Sequence, residues 1–210
     1  MNINDLKLYL VTDRSLCRGR QLEYIVEEAL KGGVTMVQLR EKECSTREFY
    51  EIGMRLKALL SSFDIPLVIN DRLDVALAIN ADGLHIGQSD MPWYEAQRLL
   101  GTTKILGISV ETMEQVITAN EIDVDYIGIS PVFATSTKID TFPPFGLEGV
   151  KEACMLSRHP CVAIGGINLD NAQQIMKNGA SGIAVVSAIS MADDPRKAAN
   201  ELLKEILVKS

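Results

Sequence analysis

Gln38, Arg40 and Lys42 are spaced by two, so in an extended segment an amide and two cationic side chains face the same side. A guanidinium grips phosphate through two parallel hydrogen bonds and an ammonium adds a mobile point charge, which suits a diphosphate. The same cations could instead form salt bridges with Glu41 or Glu43 at a solvated strand exit. Asp71 and Asp90 each follow an apolar run, and the two runs, 66–69 and 83–86, are consecutive. Two carboxylates brought together repel unless a cation lies between them. Mg2+ suits such a pair, because it takes one or two carboxylates and completes its shell with substrate phosphates and water. Asp71 could otherwise cap a short helix expected over 72–79.

A second cluster is made of backbone. Gly165-Gly166-Ile167 and Val186-Ser187-Ala188 follow the last two apolar runs, where a barrel commonly holds a phosphate on amide groups and helix N-termini. A purely structural turn would use the same glycines, and barrels with unrelated reactions share this device, so it speaks for a phosphate and not for a reaction. His85 lies inside an apparent strand and His159 in a connecting segment, and both read as structural. There is no nucleophile elbow, HExxH or Walker loop, and Trp93 and the methionines read as packing.

These residues need a frame that gathers them. Short apolar runs rich in β-branched residues, at 8–11, 36–39, 66–69, 83–86, 105–108, 126–129, 161–164 and 182–186, alternate with segments of helical period at 22–31, 46–60, 93–100, 113–120, 170–177 and 195–208. Such alternation predicts βαβ units, and about eight of them at roughly 25 residues each predict a single-domain (β/α)8 TIM barrel over 1–210. Its active site would lie at the C-terminal ends of the strands, where Gln38 to Lys42, Asn70-Asp71, Asp90, Ser109, Thr135, Thr137, Lys138, Gly166 and Ser187 all fall. The longest irregular stretch, 131–146, reads as a binding loop or lid.

Bulk properties restrict the partners. The 210 residues are 47% hydrophobic and 23% charged, with a formal net charge of -7. Such a chain has no broad basic surface for nucleic acid, although a few cations in one cleft can reverse the sign locally. Residues 1–5 lack the features of a secretory signal, and no apolar run approaches the roughly 18 residues of a membrane span, so no membrane partner and a cytoplasmic location are expected. Cys17, Cys44, Cys154 and Cys161 are scattered and read as reduced packing residues. Homo-oligomerisation is left open.

Taken in order, Val37–Lys42, Ile69-Asn70-Asp71-Arg72, 81–90 (ADGLHIGQSD), Gly107-Ile108-Ser109, Thr135-Ser136-Thr137-Lys138, Ile164-Gly165-Gly166-Ile167 and 186–189 resemble the thiamine phosphate synthase family over nearly the whole chain. The resemblance implies an enzyme that joins a pyrimidine diphosphate to a thiazole phosphate with Mg2+ as cofactor. It implies that Gln38 and Asn70 hold the aminopyrimidine, that Arg40, Lys42 and Lys138 neutralise its diphosphate, and that Asp71 and Asp90 ligate the metal. Ser109 would lie beside the reacting centre, and Thr135, Thr137, Gly166, Val186 and Ser187 would bind the thiazole phosphate. Ser130 and Ala134 depart from the family's usual loop residues. Two other readings use the same barrel: a thiazole tautomerase, which would have no use for diphosphate machinery, and a silent precursor-binding protein, which would not need Asp71 and Asp90.

Overall fold

Along each apolar run, residues alternate between two environments. Leu8 and Leu10, Val37 and Leu39, Leu67 and Ile69, and Leu84 and Ile86 pack outward into one large apolar layer against helices. Tyr9, Val11, Met36, Val68, Ile105, Tyr126, Val162 and Ala184 form a second, separate cluster. Two faces with period two, both buried, are what a parallel sheet closed on itself and jacketed by helices requires.

The computed structural model describes residues 1–135 and 142–208. Among them, β1 (Leu8–Val11), β2 (Met36–Leu39), β3 (Leu67–Asn70), β4 (Gly83–Ile86), β5 (Ile105–Val110), β6 (Tyr126–Ile129), β7 (Cys161–Ile164) and β8 (Gly182–Val185) pair in sequence order into a closed parallel barrel. The helices are α1 (Leu22–Lys31), α2 (Thr46–Ser61), α3 (Leu73–Ala78), α4 (Trp93–Leu100), α5 (Met113–Ala119), α6 (Gly146–Leu156), α7 (Leu169–Lys177), α8 (Ser187–Ser190) and α9 (Pro195–Leu207). The expected (β/α)8 barrel is therefore observed. The third strand begins one residue later than the apolar run suggested and carries Asn70 as its last residue.

Local chemistry fixes where elements begin. Ser45 caps α2 by accepting from the Glu48 amide at 3.1 Å, and Asp194 caps α9 from the Lys197 amide at 2.9 Å, with Pro195 in the first turn. At the opposite end of the barrel from the site, carboxylates start two strands: Asp82 accepts from the Leu67 amide at 2.9 Å and Asp125 from the Leu106 amide at 2.8 Å. These bonds satisfy donors at the foot of β3 and β5 and belong to stability.

The lumen is plugged below and polar above. Tyr126 reaches across the interior and its ring lies against Gly107, where even a Cβ would collide with the phenol. Glycine at 107 is thus required by close packing. Above this apolar floor the inward positions of β2 to β5 turn polar, with Gln38, Asn70, His85 and Ser109 in successive strands.

Candidate active site

Those four residues share one cavity of about 580 Å³ with Arg40, Lys42, Asp71, Asp90, Thr135, Gly166, Val186 and Ser187. That volume lies within the roughly 300–1,000 Å³ usual for small-molecule sites. Eight strands converge at their C-terminal ends, so residues as far apart as Gln38 and Ser187, 149 positions, meet in one space. Thr137 and Lys138 lie outside the described residues, as does the middle of the expected loop, 136–141. The ends of that loop are tied, since the amides of Phe145 and Gly146 both donate at 2.9 Å to the carbonyls of Pro131 and Val132.

The alternation of β2 continues past its last residue: Gln38, Arg40 and Lys42 line the cavity while Leu39 and Glu41 do not. Glu41 is claimed from the far side by Arg14, whose Nε donates to Oε2 at 2.8 Å and whose Nη1 reaches Glu48 at 2.7 Å. Burial holds the Glu41 carboxyl above the usual carboxylate range in spite of that pairing. Instead of Glu41 or Glu43, the carboxylates paired with Arg40 and Lys42 are Asp13 and Asp71. Arg40 is anchored through its amide, which donates to Thr12 Oγ1 at 3.1 Å, and its guanidinium is only loosely paired, 3.9 Å from Asp13.

Lys42 Nζ donates to Asp71 Oδ2 at 2.6 Å. Asp71 has φ +62, a left-handed conformation uncommon outside glycine, and its amide donates to the His85 carbonyl at 2.8 Å. The helix-capping reading fails: α3 starts after Arg72 and receives no side-chain cap, while the Asp71 carboxylate turns into the cavity. Asp90 accepts from the Gly87 amide at 2.7 Å. Burial, and then the carboxylate of Asp71 beside it, push the Asp90 carboxyl up from its ordinary value. Two carboxylates thus press on one another at the rim.

His85, read from the sequence as structural, lies inside this cavity. Its Nε2 is 2.8 Å from Ser109 Oγ and its Nδ1 2.9 Å from Tyr126 Oη. Tyr126 Oη is 3.0 Å from Tyr9 Oη, which accepts from Gln38 Nε2 at 2.9 Å. Burial drives the His85 imidazole down to about 4 and both phenols upward, so all three are neutral near pH 7. Tyr9 and Tyr126 were missed because nothing in two separate apolar runs announces that their hydroxyls meet. The inward register of Tyr9, His85 and Tyr126 was the available signal.

On the other wall, Gly165 and Gly166 have φ of +107 and +65, and a Cβ on either would crowd Pro131 or Phe133, at 2.9 and 2.8 Å. What approaches these glycines is the 131–134 segment, as a structural turn would have it: the Val132 and Phe133 amides donate to the Ile164 and Gly165 carbonyls at 2.9 and 3.0 Å. That ladder delivers Thr135 to the cavity. Beside it, α8 opens at Ser187, and its Ile189 and Ser190 amides donate back to the Val186 carbonyl at 3.3 and 2.9 Å.

A (β/α)8 barrel whose C-terminal mouth combines a guanidinium, an ammonium, paired carboxylates and glycine-rich turns belongs to the barrel enzymes that handle small anionic substrates. Comparison with known proteins narrows the class. The family profile described as thiamine monophosphate synthase matches residues 8–189, and the chain belongs to that family. Thiamine-phosphate synthase of Albidiferax ferrireducens is 52% identical over 96% of this chain and 92% of its own, and that of Clostridium novyi is 49% identical over 96% and 98%. The solved structure of thiamine phosphate pyrophosphorylase from Pyrococcus furiosus superposes with a TM-score of 0.88 at 42% identity, covering 98% of this chain and 99% of that one. Among the described residues no helix is long and apolar enough to cross a membrane.

Proposed function

We propose that this protein is a thiamine phosphate synthase that condenses 4-amino-2-methyl-5-(diphosphooxymethyl)pyrimidine with a thiazole phosphate, giving thiamine phosphate and diphosphate by a dissociative, Mg2+-assisted path. The observation that carries the reading is the convergence of Gln38, Arg40, Lys42, Asn70, Asp71, Asp90 and Ser109 on one cavity. Retention of the cations and both carboxylates favours it over tautomerisation of a single phosphate and over silent binding.

The donor set fits Mg2+. Asp71 and Asp90 offer hard oxygens close enough to disturb each other, and no cluster of three or more metal-ligating side chains occurs among the described residues. Two protein carboxylates with the shell completed by phosphate oxygens and water are a usual Mg2+ arrangement. Asp71 and Asp90 would hold the ion, which supplies charge neutralisation to the departing diphosphate.

The protein's own part is electrostatic and positional. The bond from the exocyclic methylene to the diphosphate oxygen breaks with its electron pair leaving on diphosphate, and the aminopyrimidine ring delocalises the resulting cation. Arg40, Lys42 and Lys138 neutralise the anion as its charge grows, without a protein nucleophile. Gln38 and Asn70 hold the pyrimidine, with Ser109 beside its methylene. Thr135, Thr137, Gly166, Val186 and Ser187 seat the thiazole phosphate so that the ring nitrogen donates its lone pair to the cation, forming the new C–N bond. Contact between bound partners supplies the entropic share of the acceleration. The test mixes the protein with Mg2+ and both substrates and follows diphosphate: release is expected only when both are present. Absence of thiazole-dependent release rejects the assignment.

A further inference from the structure

The five side chains that run under the cavity from Gln38 to Ser109 have a direction. Gln38 Nε2 can only donate, so Tyr9 Oη accepts and must place its single proton elsewhere, on Tyr126 Oη at 3.0 Å. Tyr126, having accepted, gives its proton to His85 Nδ1 at 2.9 Å. A neutral imidazole with a bare Nδ1 carries its proton on Nε2 and donates it to Ser109 Oγ at 2.8 Å. Each link is fixed by the one before it. Reversing one alone would set two donors or two lone pairs against each other in a network whose Gln38, Tyr9, Tyr126 and His85 are no more than 8% exposed, where unmet polar groups are costly.

We propose that Tyr9, Tyr126 and His85 are positioning residues that lock this polarity, so that Gln38 presents its carbonyl Oε1 to the substrate and Ser109 its hydroxyl proton. The two ends then act as one acceptor and one donor on opposite sides of the cavity. The ligand they complement carries an amino group toward Gln38 and an electron-rich nitrogen or oxygen toward Ser109, as an aminopyrimidine ester does. The same pyrimidine with an oxo group in place of the amino group would set its oxygen against the lone pairs of Oε1. Sites built to pair a polar group reject an analogue that leaves it unpaired far more strongly than apolar pockets reject a missing methylene. The network therefore determines specificity for the amino ring. Its floor is built for the purpose: Gly107 leaves room for the Tyr126 ring, and a Cβ at Gly128 would sit 3.3 Å from His85 Cε1.

The identity of the ligand rests on the function proposed above; the polarity does not. The chain holds only His85 and His159, so in His159→Gln protein one imidazole remains to be read by 15N NMR without any substrate. A proton on Nε2 with Nδ1 bare supports the proposal, and a proton on Nδ1 overturns it, whatever reaction the protein runs. Kinetics supply the second arm. Tyr126→Phe, or Tyr9→Phe should the former fold poorly, cuts the chain while leaving Gln38 and Ser109, its two ends, in place. Loss of one oriented bond of this kind should lower kcat/KM for the amino substrate roughly tenfold. It should narrow discrimination against the oxo analogue and leave KM for the thiazole phosphate unchanged. Unaltered discrimination in a folded variant overturns the proposal. The predicted tautomer in a protein without thiazole-dependent diphosphate release would sink the assigned reaction and sustain the polarity.

Discussion

Asp90→Asn should move stability and activity in opposite directions. In the substrate-free protein Asp90 stands against the carboxylate of Asp71 and is partly buried, and both effects oppose its ionisation. Asparagine keeps an acceptor for the Gly87 amide, now 2.7 Å from Asp90 Oδ2, and removes one of the two like charges. Because the pair is open to solvent on one side, the relief is screened to about 1 kcal/mol or less, or roughly 2–4 °C in Tm for a chain of this size. With substrate and Mg2+ the sign reverses, since the variant lacks one of the two ligands holding the ion. Losing one such contact should cost on the order of 3 kcal/mol in the barrier, about a hundredfold in kcat. Thermal melts of the metal-free protein and steady-state diphosphate release decide the matter. A variant that melts lower than wild type, yet turns over within a few-fold of it, would refute the idea that this pair is kept at a cost to the resting fold.

Arg40→Met should lower kcat/KM for the pyrimidine diphosphate by about a hundredfold, with little change in melting, because the guanidinium's recorded ion-pair partner is Asp13 at 3.9 Å. Asp82→Ala should do the reverse: it strands the Leu67 amide, now bonded at 2.9 Å, so urea midpoints should show a loss of about 1–2 kcal/mol while kinetic constants stay unchanged. His85 imposes a pH dependence on stability. Its folded value of about 4 lies below the unfolded value of 6.5, so the native state refuses a proton that the unfolded chain accepts. Stability is therefore full above the unfolded value, falls as pH drops between the two values, and levels off below the folded one. The total is about 3 kcal/mol. Denaturant midpoints of wild type and His85→Asn across that range should converge as pH falls, and parallel curves would contradict the assigned cause.

The barrel was legible because burial on both faces of a parallel strand leaves a short continuous apolar run, and eight such runs survive with helical spacing between them. The charged rim was legible for a related reason: Gln38, Arg40 and Lys42 keep the period of two beyond the end of β2. Competition for those charges was not. Arg14 lies 27 positions from Glu41, and its capture of that carboxylate, which leaves Arg40 and Lys42 facing the cavity, depends on closure of β1 against β2. The Tyr9–Tyr126 contact spans 117 positions and exists only because opposite sides of the lumen meet. His85 looked structural since an imidazole between Leu84 and Ile86 resembles a buried core residue; it is buried, and burial is what keeps it neutral within the site. Likewise the four-residue α8 is too short to leave a periodic signature.

A protein of net charge -7 must reverse sign at one rim to hold a metal-bound diphosphate. Calorimetric titration with inorganic diphosphate tests it most directly. One diphosphate should bind per chain, dependent on Mg2+ and weakened at least tenfold by Lys42→Met or Asp71→Asn. Binding that ignores Mg2+ and both substitutions, or no binding at all, would contradict it.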